Sequence, residues 1–309
     1  MPRLRATSAP SAVVALAVTV AVGVTVTIPA TTKRVSVPTV LVDSTTFLPA
    51  APIKTAPPNS PPEPADASPA RLFTGDYSTG DFTQWPGVQT AAYNGPGTDY
   101  VPDYSASVVP DPVKGNVARF ELRSGDRPEF GGGERAEVQS TPEATGGFEG
   151  RTVWYAFSTK FDPSFPLNHA DLGWGLTNQW HSDADGSPPV GWYVDQRNGY
   201  WSLVVHKQDK PGDYTQTFSI VDVPIDPGAW HDVKMQIRWS ASDREGWIRL
   251  WLNGVRQKFA DGADTFEVRT MVPGTTNVYY KEGIYRQPEA QTDVVFHTGF
   301  RSATAEAGL

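Results

Sequence analysis

The chain has 309 residues, a formal net charge of −8 and a pI near 5.1. An acidic surface argues against nucleic acid as a partner, though an anionic ligand can still enter a local basic cleft. With no cysteine, disulfides, thiolate catalysis and cysteine-ligated zinc are excluded, and 28 glycines with 28 prolines suit a turn-rich all-β fold.

In chain order, Arg3 and Arg5 precede an apolar run from Ala12 to Ile28, and small residues follow at Pro29 and Ala30. This is the layout of a secretory signal peptide over residues 1–30; an uncleaved anchor is the alternative, because the run approaches the length of a membrane span. Residues 31–70 are rich in Pro, Thr, Ser and Ala and read as a disordered linker that cannot bury a core. Residues 71–309 remain for one folded domain. The expected location is extracellular, with a monomer and no stable membrane association after cleavage.

Within that domain the strong signal is alternation with a period of two. Strands are predicted over Asn116–Leu122, Glu134–Ser140, Arg151–Phe161, Gly173–His181, Gly191–Val194, Tyr200–His206, His231–Trp239, Trp247–Leu252, Val255–Phe259, Tyr279–Gln287 and Asp293–Phe300. Asn253-Gly254 marks a hairpin turn. No long helical period follows residue 70. Many antiparallel strands predict two packed sheets, a sandwich or jelly roll.

Three of these strands carry a polar stripe where a core strand would be apolar. Alternation places Arg135, Glu137 and Gln139 on one face of the first. In the second, Thr177, Gln179 and His181 share a face, opposite Leu176, Asn178 and Trp180. The third, YYKEGIYRQ, places Tyr279, Lys281, Gly283, Tyr285 and Gln287 together. Side by side, the stripes would form the floor of a concave polar cleft held by rigid strands. Such a set suits β-elimination on a uronic acid. Arg135 and Gln179 would neutralise the carboxylate so that charge can flow into it, while His181 and Tyr285 would supply base and acid. Lys281 would bind a neighbouring carboxylate or lower the Tyr285 pKa.

The three stretches resemble motifs of the jelly-roll (concanavalin A-like) polysaccharide lyases: Arg135-Ala-Glu137-Val, Gln179-Trp-His181 and Tyr279-Tyr-Lys281-Glu-Gly283-Ile-Tyr285-Arg-Gln287, in the family's order. The wider layout, from Gly80-Asp81-Phe82 through Asn253-Gly254 to the last strand, looks most like the heparin lyase-like and glucuronan lyase group. The resemblance implies a catalytic set of Arg135, Gln179, His181 and Tyr285, with Lys281, Gln287, Tyr279 and Glu137 binding substrate. It implies an acidic polysaccharide as partner, glucuronan-type being favoured by the resemblance to that group; alginate is weakened because the first motif lacks the arginine that often follows its leucine in alginate lyases, with Gln139 nearby instead. No cofactor is required: related folds often hold a structural calcium, but Val295-Phe-His-Thr-Gly299 lacks an aspartate for it. For glucuronate and mannuronate, Tyr285 could act as both base and acid; for iduronate and guluronate, His181 would be the base. The competing readings are a non-catalytic lectin-like carbohydrate-binding module and a glycoside hydrolase, which needs two carboxylates across the cleft.

Other residues are expected to be structural. Trp230, Trp239, Trp247 and Trp251 read as core, Trp174, Trp180 and Trp192 as nearer the cleft, with Trp180 turned away from it. His169, His206, His231 and His297 read as surface or capping residues, Arg123 and Arg286 as surface or rim charges, and Asp183-Ala-Asp185-Gly186 as a polar turn. Gly283 reads as a gap for an approaching sugar, with a β-bulge as the alternative.

Overall fold

The computed structural model describes residues 70–167, 174–195 and 198–309. The signal-peptide and linker readings, His169 and the first residue of the predicted Gly173 strand lie outside these residues. Two sheets of nine strands each, antiparallel throughout, face one another. The back sheet runs Val255–Arg256, Trp247–Leu252, Trp230–Arg238, Thr152–Phe161, Asp293–Ala303, Gly115–Leu122 and Ala106–Asp111. Arg71–Gly75 also pairs with its Asp293–Ala303 strand, and Phe266–Glu267 with Trp247–Leu252. The cleft sheet runs Asp213–Pro224, Tyr200–Lys210, Val190–Asp195, Gly175–Ser182, Asn277–Arg286, Glu134–Gln139, Gly87–Gln89 and Asn94–Gly95, with Gly147–Phe148 beside Asn277–Arg286. The all-β jelly-roll sandwich expected from the alternation is what forms.

The facing sides bury an aromatic core. Tyr280 from the cleft sheet stacks on Phe300 from the back sheet at 3.8 Å between centroids, and Trp180, Tyr155, Phe157 and Trp85 close around them. Offset and edge contacts of this kind add to the area that each ring removes from water. The one α-helix among the described residues, Pro142–Thr145, is a single turn: the Thr141 hydroxyl accepts from the Ala144 N–H, and Gly146 at φ 72° ends it.

Several assignments change on folding. Of the four tryptophans expected in the core, only Trp239 is fully buried there. Trp230, Trp247 and Trp251 lie half-buried on the outer face of the back sheet, each under a cation: Lys160 over Trp230 at 4.7 Å, Arg249 over Trp247 at 4.4 Å and Lys234 over Trp251 at 4.7 Å. A tryptophan beneath a cation is stable where one face stays wet. Trp192 is core, stacked on Trp201 at 4.1 Å, and Trp180 points inward as expected. His231 is buried, and His297 is fully buried between the sheets with Thr159 at Nδ1 and the Gly283 carbonyl at Nε2. Arg286 is no rim charge: it is fully buried and pairs with Glu134 at 3.0 Å, Glu289 at 2.6 Å and Asp293 at 2.8 Å. Asp293, which opens the last strand, is thereby committed to a guanidinium.

Candidate active site

The three polar strands are neighbours, in the order Gly175–Ser182, Asn277–Arg286, Glu134–Gln139. Register places Arg135 opposite Tyr285, Glu137 opposite Gly283 and Gln139 opposite Lys281. On the other flank Gln179 lies opposite Lys281 and His181 opposite Tyr279. Arg135, Gln179, His181 and Tyr285 thus share one face of three adjacent strands.

Contacts on this face form a continuous path. The Arg135 guanidinium lies 3.9 Å from the centre of the Tyr285 ring and 3.5 Å from the Glu137 carboxylate. Glu137 also accepts from Lys281 Nζ at 2.7 Å and from Gln179 Nε2 at 2.5 Å. Glu137, Gln179 and Lys281 are 1%, 1% and 3% exposed; Glu137 and Lys281 spend their charges on each other, while Gln179 gives Glu137 one amide N–H and keeps the other. Lys281, expected to meet a neighbouring carboxylate, is instead the counter-ion of Glu137. Burial pushes the Glu137 carboxyl up, but Lys281 and Arg135 more than offset it and hold the group below the usual range. Burial pushes the Lys281 ammonium down, and Glu137 recovers part of the shift.

His181 is kept neutral mainly by burial, which lowers its pKa, reinforced by Lys281 and Arg135 and opposed by the Ser182 carbonyl and Glu137. Its Nδ1 lies 2.7 Å from that carbonyl, which can only accept. Nδ1 therefore carries the proton, and Nε2 is left with a lone pair. Tyr279 stands beside it, with its hydroxyl 3.4 Å from Nδ1. Tyr285 is half-buried, edge-on to Trp174 at 4.8 Å, and its oxygen accepts from the Gly133 N–H at 3.3 Å. Gln287 follows the strand, with its N–H bonded to the Trp174 carbonyl.

Two local irregularities set this geometry. Gly283 has φ 142°, and a Cβ there would come within 2.2 Å of the Ala136 carbonyl oxygen. It is the site of a register shift between Glu282 and Tyr285, so the bulge reading holds: the glycine admits the neighbouring strand, and no sugar is needed to explain it. The second shift lies at Thr177. This residue is buried, accepts from the Trp201 indole at 2.8 Å and faces inward beside Asn178, so it leaves the polar stripe. Leu176 then lies opposite both Tyr285 and Tyr193.

Sequence reasoning missed Gln89 and Tyr193 as parts of this face, whereas Trp174, read as nearer the cleft, does stand against Tyr285. Gln89 accepts from Arg135 at 3.4 Å from a three-residue strand that alternation cannot reveal. Gly131-Gly-Gly133 reads from sequence as a flexible turn before the Arg135 strand, with a loop over the cleft as the alternative. Tyr193 could have been found, since it alternates with the apolar Trp192 and Val194. The two-carboxylate arrangement of a hydrolase is missing here: Glu137 belongs to the cleft side, whereas Glu282 is buried between the sheets, accepting from Tyr77 and Tyr280. A cavity of about 760 Å3 lies on the outer face of the back sheet. Its charged groups are all paired, Lys114 with Asp232 at 2.6 Å, Arg301 with Asp76 at 3.4 Å and Lys234 with Glu306 outside the lining, which favours the polar face of the cleft sheet as the place for chemistry.

Comparison with known proteins bears on the family and the fold. A family model described as polysaccharide lyase matches residues 77–301. Among solved structures, an endo-β-1,4-glucuronan lyase from the fungus Trichoderma reesei superposes with a TM-score of 0.53 at 16% identity, over 77% of this chain and 98% of that one. A family 7 alginate lyase, A1-II′, in complex with substrate gives a TM-score of 0.53 at 12% identity, over 74% and 96%. At these identities the structural likeness shows the fold. No curated protein matches the sequence.

Proposed function

Since the chain belongs to the polysaccharide lyase family, we propose that it cleaves a glucuronate-containing polymer by β-elimination, with Arg135, Gln179, His181 and Tyr285 as its catalytic groups. The observation that carries this reading is the single face on which those four side chains stand, with Arg135 and Gln179 both fastened to the buried Glu137.

The free carboxylate of a uronate leaves the neighbouring C–H proton very weakly acidic. Arg135, with the second N–H of the Gln179 amide, would take up that carboxylate's charge and stabilise the enolate that forms. Neutral His181 offers Nε2 as base, and Tyr285 lies under the Gly133 N–H, which favours charge on its oxygen when it gives a proton to the departing glycosidic oxygen. That division of roles fits a ring whose proton and leaving oxygen lie on opposite sides; in glucuronate they lie on the same side, and there the Tyr285 oxygen, entering the step without its proton, takes the C–H proton and returns that same proton to the departing oxygen. Electrons from the broken C–H bond form the new double bond, and the C–O pair leaves with the proton that Tyr285 supplies. Glucuronate as the cleaved unit is supported by the motif layout resembling the glucuronan lyase group, since in fold the chain is as like an alginate lyase as a glucuronan lyase. The apolar run after Arg3 and Arg5 supports export; a start near Thr31 in protein recovered from culture medium is the expected outcome, and retention of the run in a membrane fraction would reject it.

The test is incubation with a panel of polyuronates, following ultraviolet absorbance of the unsaturated product. Tyr285→Phe is expected to lower kcat by ~10²–10⁴-fold with an unchanged unfolding midpoint. Full activity in that variant would remove Tyr285 from the mechanism, and reducing ends without absorbance would replace elimination by hydrolysis.

A further inference from the structure

On the cleft face the shift at Thr177 turns Leu176 outward, directly opposite Tyr285 on one flank and Tyr193 on the other. Leu176 is buried yet takes no part in the aromatic core. Two phenols therefore stand on either side of an apolar side chain, two strands or about 10 Å apart at the backbone. Tyr285 already has a role; Tyr193 has none.

The Tyr193 ring leans along its own strand. Gly191, its predecessor on that face, does not occupy the left-handed region, so its backbone does not call for glycine. Space does: a Cβ there would come within 3.0 Å of the Tyr193 ring and 3.2 Å of the Asn178 carbonyl oxygen. The ring thus lies over Gly191 and meets His206 edge-on at 5.2 Å. Gly191 is directly opposite Gln179, whose other cross-strand neighbour is Lys281. The ring of Tyr193 therefore takes the place of a side chain beside Gln179, on the flank away from Arg135 and Glu137.

The Tyr193 hydroxyl has no hydrogen-bond partner among the described residues and is not sealed from solvent. Tyr77, Tyr155 and Tyr280, by contrast, spend theirs inside the sandwich on Glu282 and the Thr145 carbonyl. Burial pushes the Tyr193 phenol well up, with Tyr214 and Tyr285 adding to the shift, so the group keeps its proton and acts as a donor. A uronate carries its carboxylate on C5 and ring hydroxyls on C2 and C3, at opposite edges of the ring. Once Arg135 and Gln179 hold the carboxylate, the hydroxyl edge turns across the Gly175–Ser182 strand toward Tyr193. Strands lie ~4.8 Å apart, roughly the width of a pyranose, so one ring reaches from one strand to the next.

We infer that Tyr193 is a further substrate-binding residue: its hydroxyl donates to a ring hydroxyl of the uronate held by Arg135 and Gln179, and Gly191 leaves the space that lets the ring lean into reach. This deepens the lyase reading, on which it rests, by a contact on the flank opposite Arg135.

The test uses the full chain and the best-cleaved polyuronate of the panel, or β-1,4-polyglucuronate if none is cleaved. Kinetics are measured with and without Tyr193→Phe, and equilibrium binding is measured for the same pair in the Tyr285→Phe background. The phenylalanine keeps the ring over Gly191 and removes only the donor. The expected result is a ~3–10-fold rise in KM and in Kd, with kcat changed by about twofold or less and the unfolding midpoint unchanged. Gly191→Ala should raise KM at least as much and should add nothing in a Tyr193→Ala background; an effect that persists there would overturn the assignment of Gly191. Unchanged KM and Kd in Tyr193→Phe would overturn the inference and leave the lyase reading standing. Weaker binding in a chain that gives no unsaturated product would uphold the contact and reject the lyase reading. A fall in kcat as large as that expected for Tyr285→Phe would make Tyr193 a proton carrier and overturn its assignment to binding. Absence of binding to every polymer would overturn both.

Discussion

Glu137 and Glu282 stand on adjacent strands of the same sheet, both withdrawn from solvent, and they have opposite fates. Glu137 lies on the cleft side with Lys281 at 2.7 Å and Arg135 at 3.5 Å. Glu282 faces the sandwich interior, where its neighbours are the hydroxyls of Tyr77 at 2.7 Å and Tyr280 at 2.8 Å. Burial penalises the charged form of each. At Glu137 two cations more than offset the penalty; at Glu282 hydroxyls cannot, and its pKa is pushed up to about 8. The cleft carboxylate is therefore an ion that organises Arg135, Gln179 and Lys281, and the interior carboxylate is a neutral acid that ties its strand to Tyr77 in the loop after Arg71–Gly75. One residue type on one sheet does either job according to which face the strand presents.

The largest effect should follow from breaking the ionic side. Glu137→Gln leaves the Lys281 ammonium buried without its counter-ion and loosens both groups meant to hold the substrate carboxylate. We expect a loss of about 3–5 kcal/mol in unfolding free energy by denaturant titration, together with loss of lyase activity. Adding Lys281→Met to Glu137→Gln should recover much of the stability, since apolar replacement of a buried pair is often neutral, without recovering the activity. A single variant as stable as the unaltered chain would show that the pair is not an ion pair.

The neutral side gives a smaller effect of opposite pH dependence. The folded-state pKa of Glu282, about 8, lies above the ordinary value of 4.5, so the folded chain binds the extra proton between those limits. Its contribution is complete below pH 4.5, declines as pH rises, and is gone above about pH 8. Glu137, held below 4.5, contributes in full above that value and loses its contribution as pH falls through the folded pKa. Glu282→Gln keeps a polar group between Tyr77 and Tyr280 and removes the titration. It should flatten a slope of at most ~1.4 kcal/mol per pH unit between pH 4.5 and 8. Unfolding free energies at pH 5, 6.5 and 8 would show this, and an unchanged slope would place its origin elsewhere.

How much of this was legible beforehand follows from where the period of two holds. Along Glu134–Gln139 and Asn277–Arg286 the alternation is unbroken through Arg135, Glu137, Lys281 and Tyr285, so the face and its neighbours could be read from residue order alone. At Thr177 it fails, because a register shift turns two successive residues inward and no sequence signal marks the shift. Depth was harder to read than direction: Lys281 and Glu137 share the predicted face yet lie under it, because each supplies the charge that lets the other be buried. Arg286 was misread for a related reason. Two of its carboxylate partners, Glu289 and Asp293, lie beyond the end of its strand, and only the folded turn brings them back. The Asp213–Pro224 strand was missed although Pro211-Gly212 between two runs that alternate is a usable hairpin signal.

The smallest effect tests how much of the cleft is support. Tyr279 approaches His181 Nδ1 at 3.4 Å, a long contact, while the Ser182 carbonyl holds the same nitrogen at 2.7 Å. The backbone carbonyl survives any side-chain substitution, so the imidazole should keep its tautomer and its Nε2 lone pair in Tyr279→Phe. Only a weak acceptor for the charged form is lost, which lowers the His181 pKa a little further; on a uronate with proton and leaving oxygen on opposite sides, where His181 is the base, the acid limb of kcat/KM moves to lower pH by ~0.3 unit. At the plateau the rate should change by about threefold or less, in keeping with one neutral hydrogen bond. A loss near that expected for Tyr285→Phe would mean that Tyr279 handles a proton itself, and the division of this face into a working end at Tyr285 and a supporting end at Tyr279 would have to be redrawn.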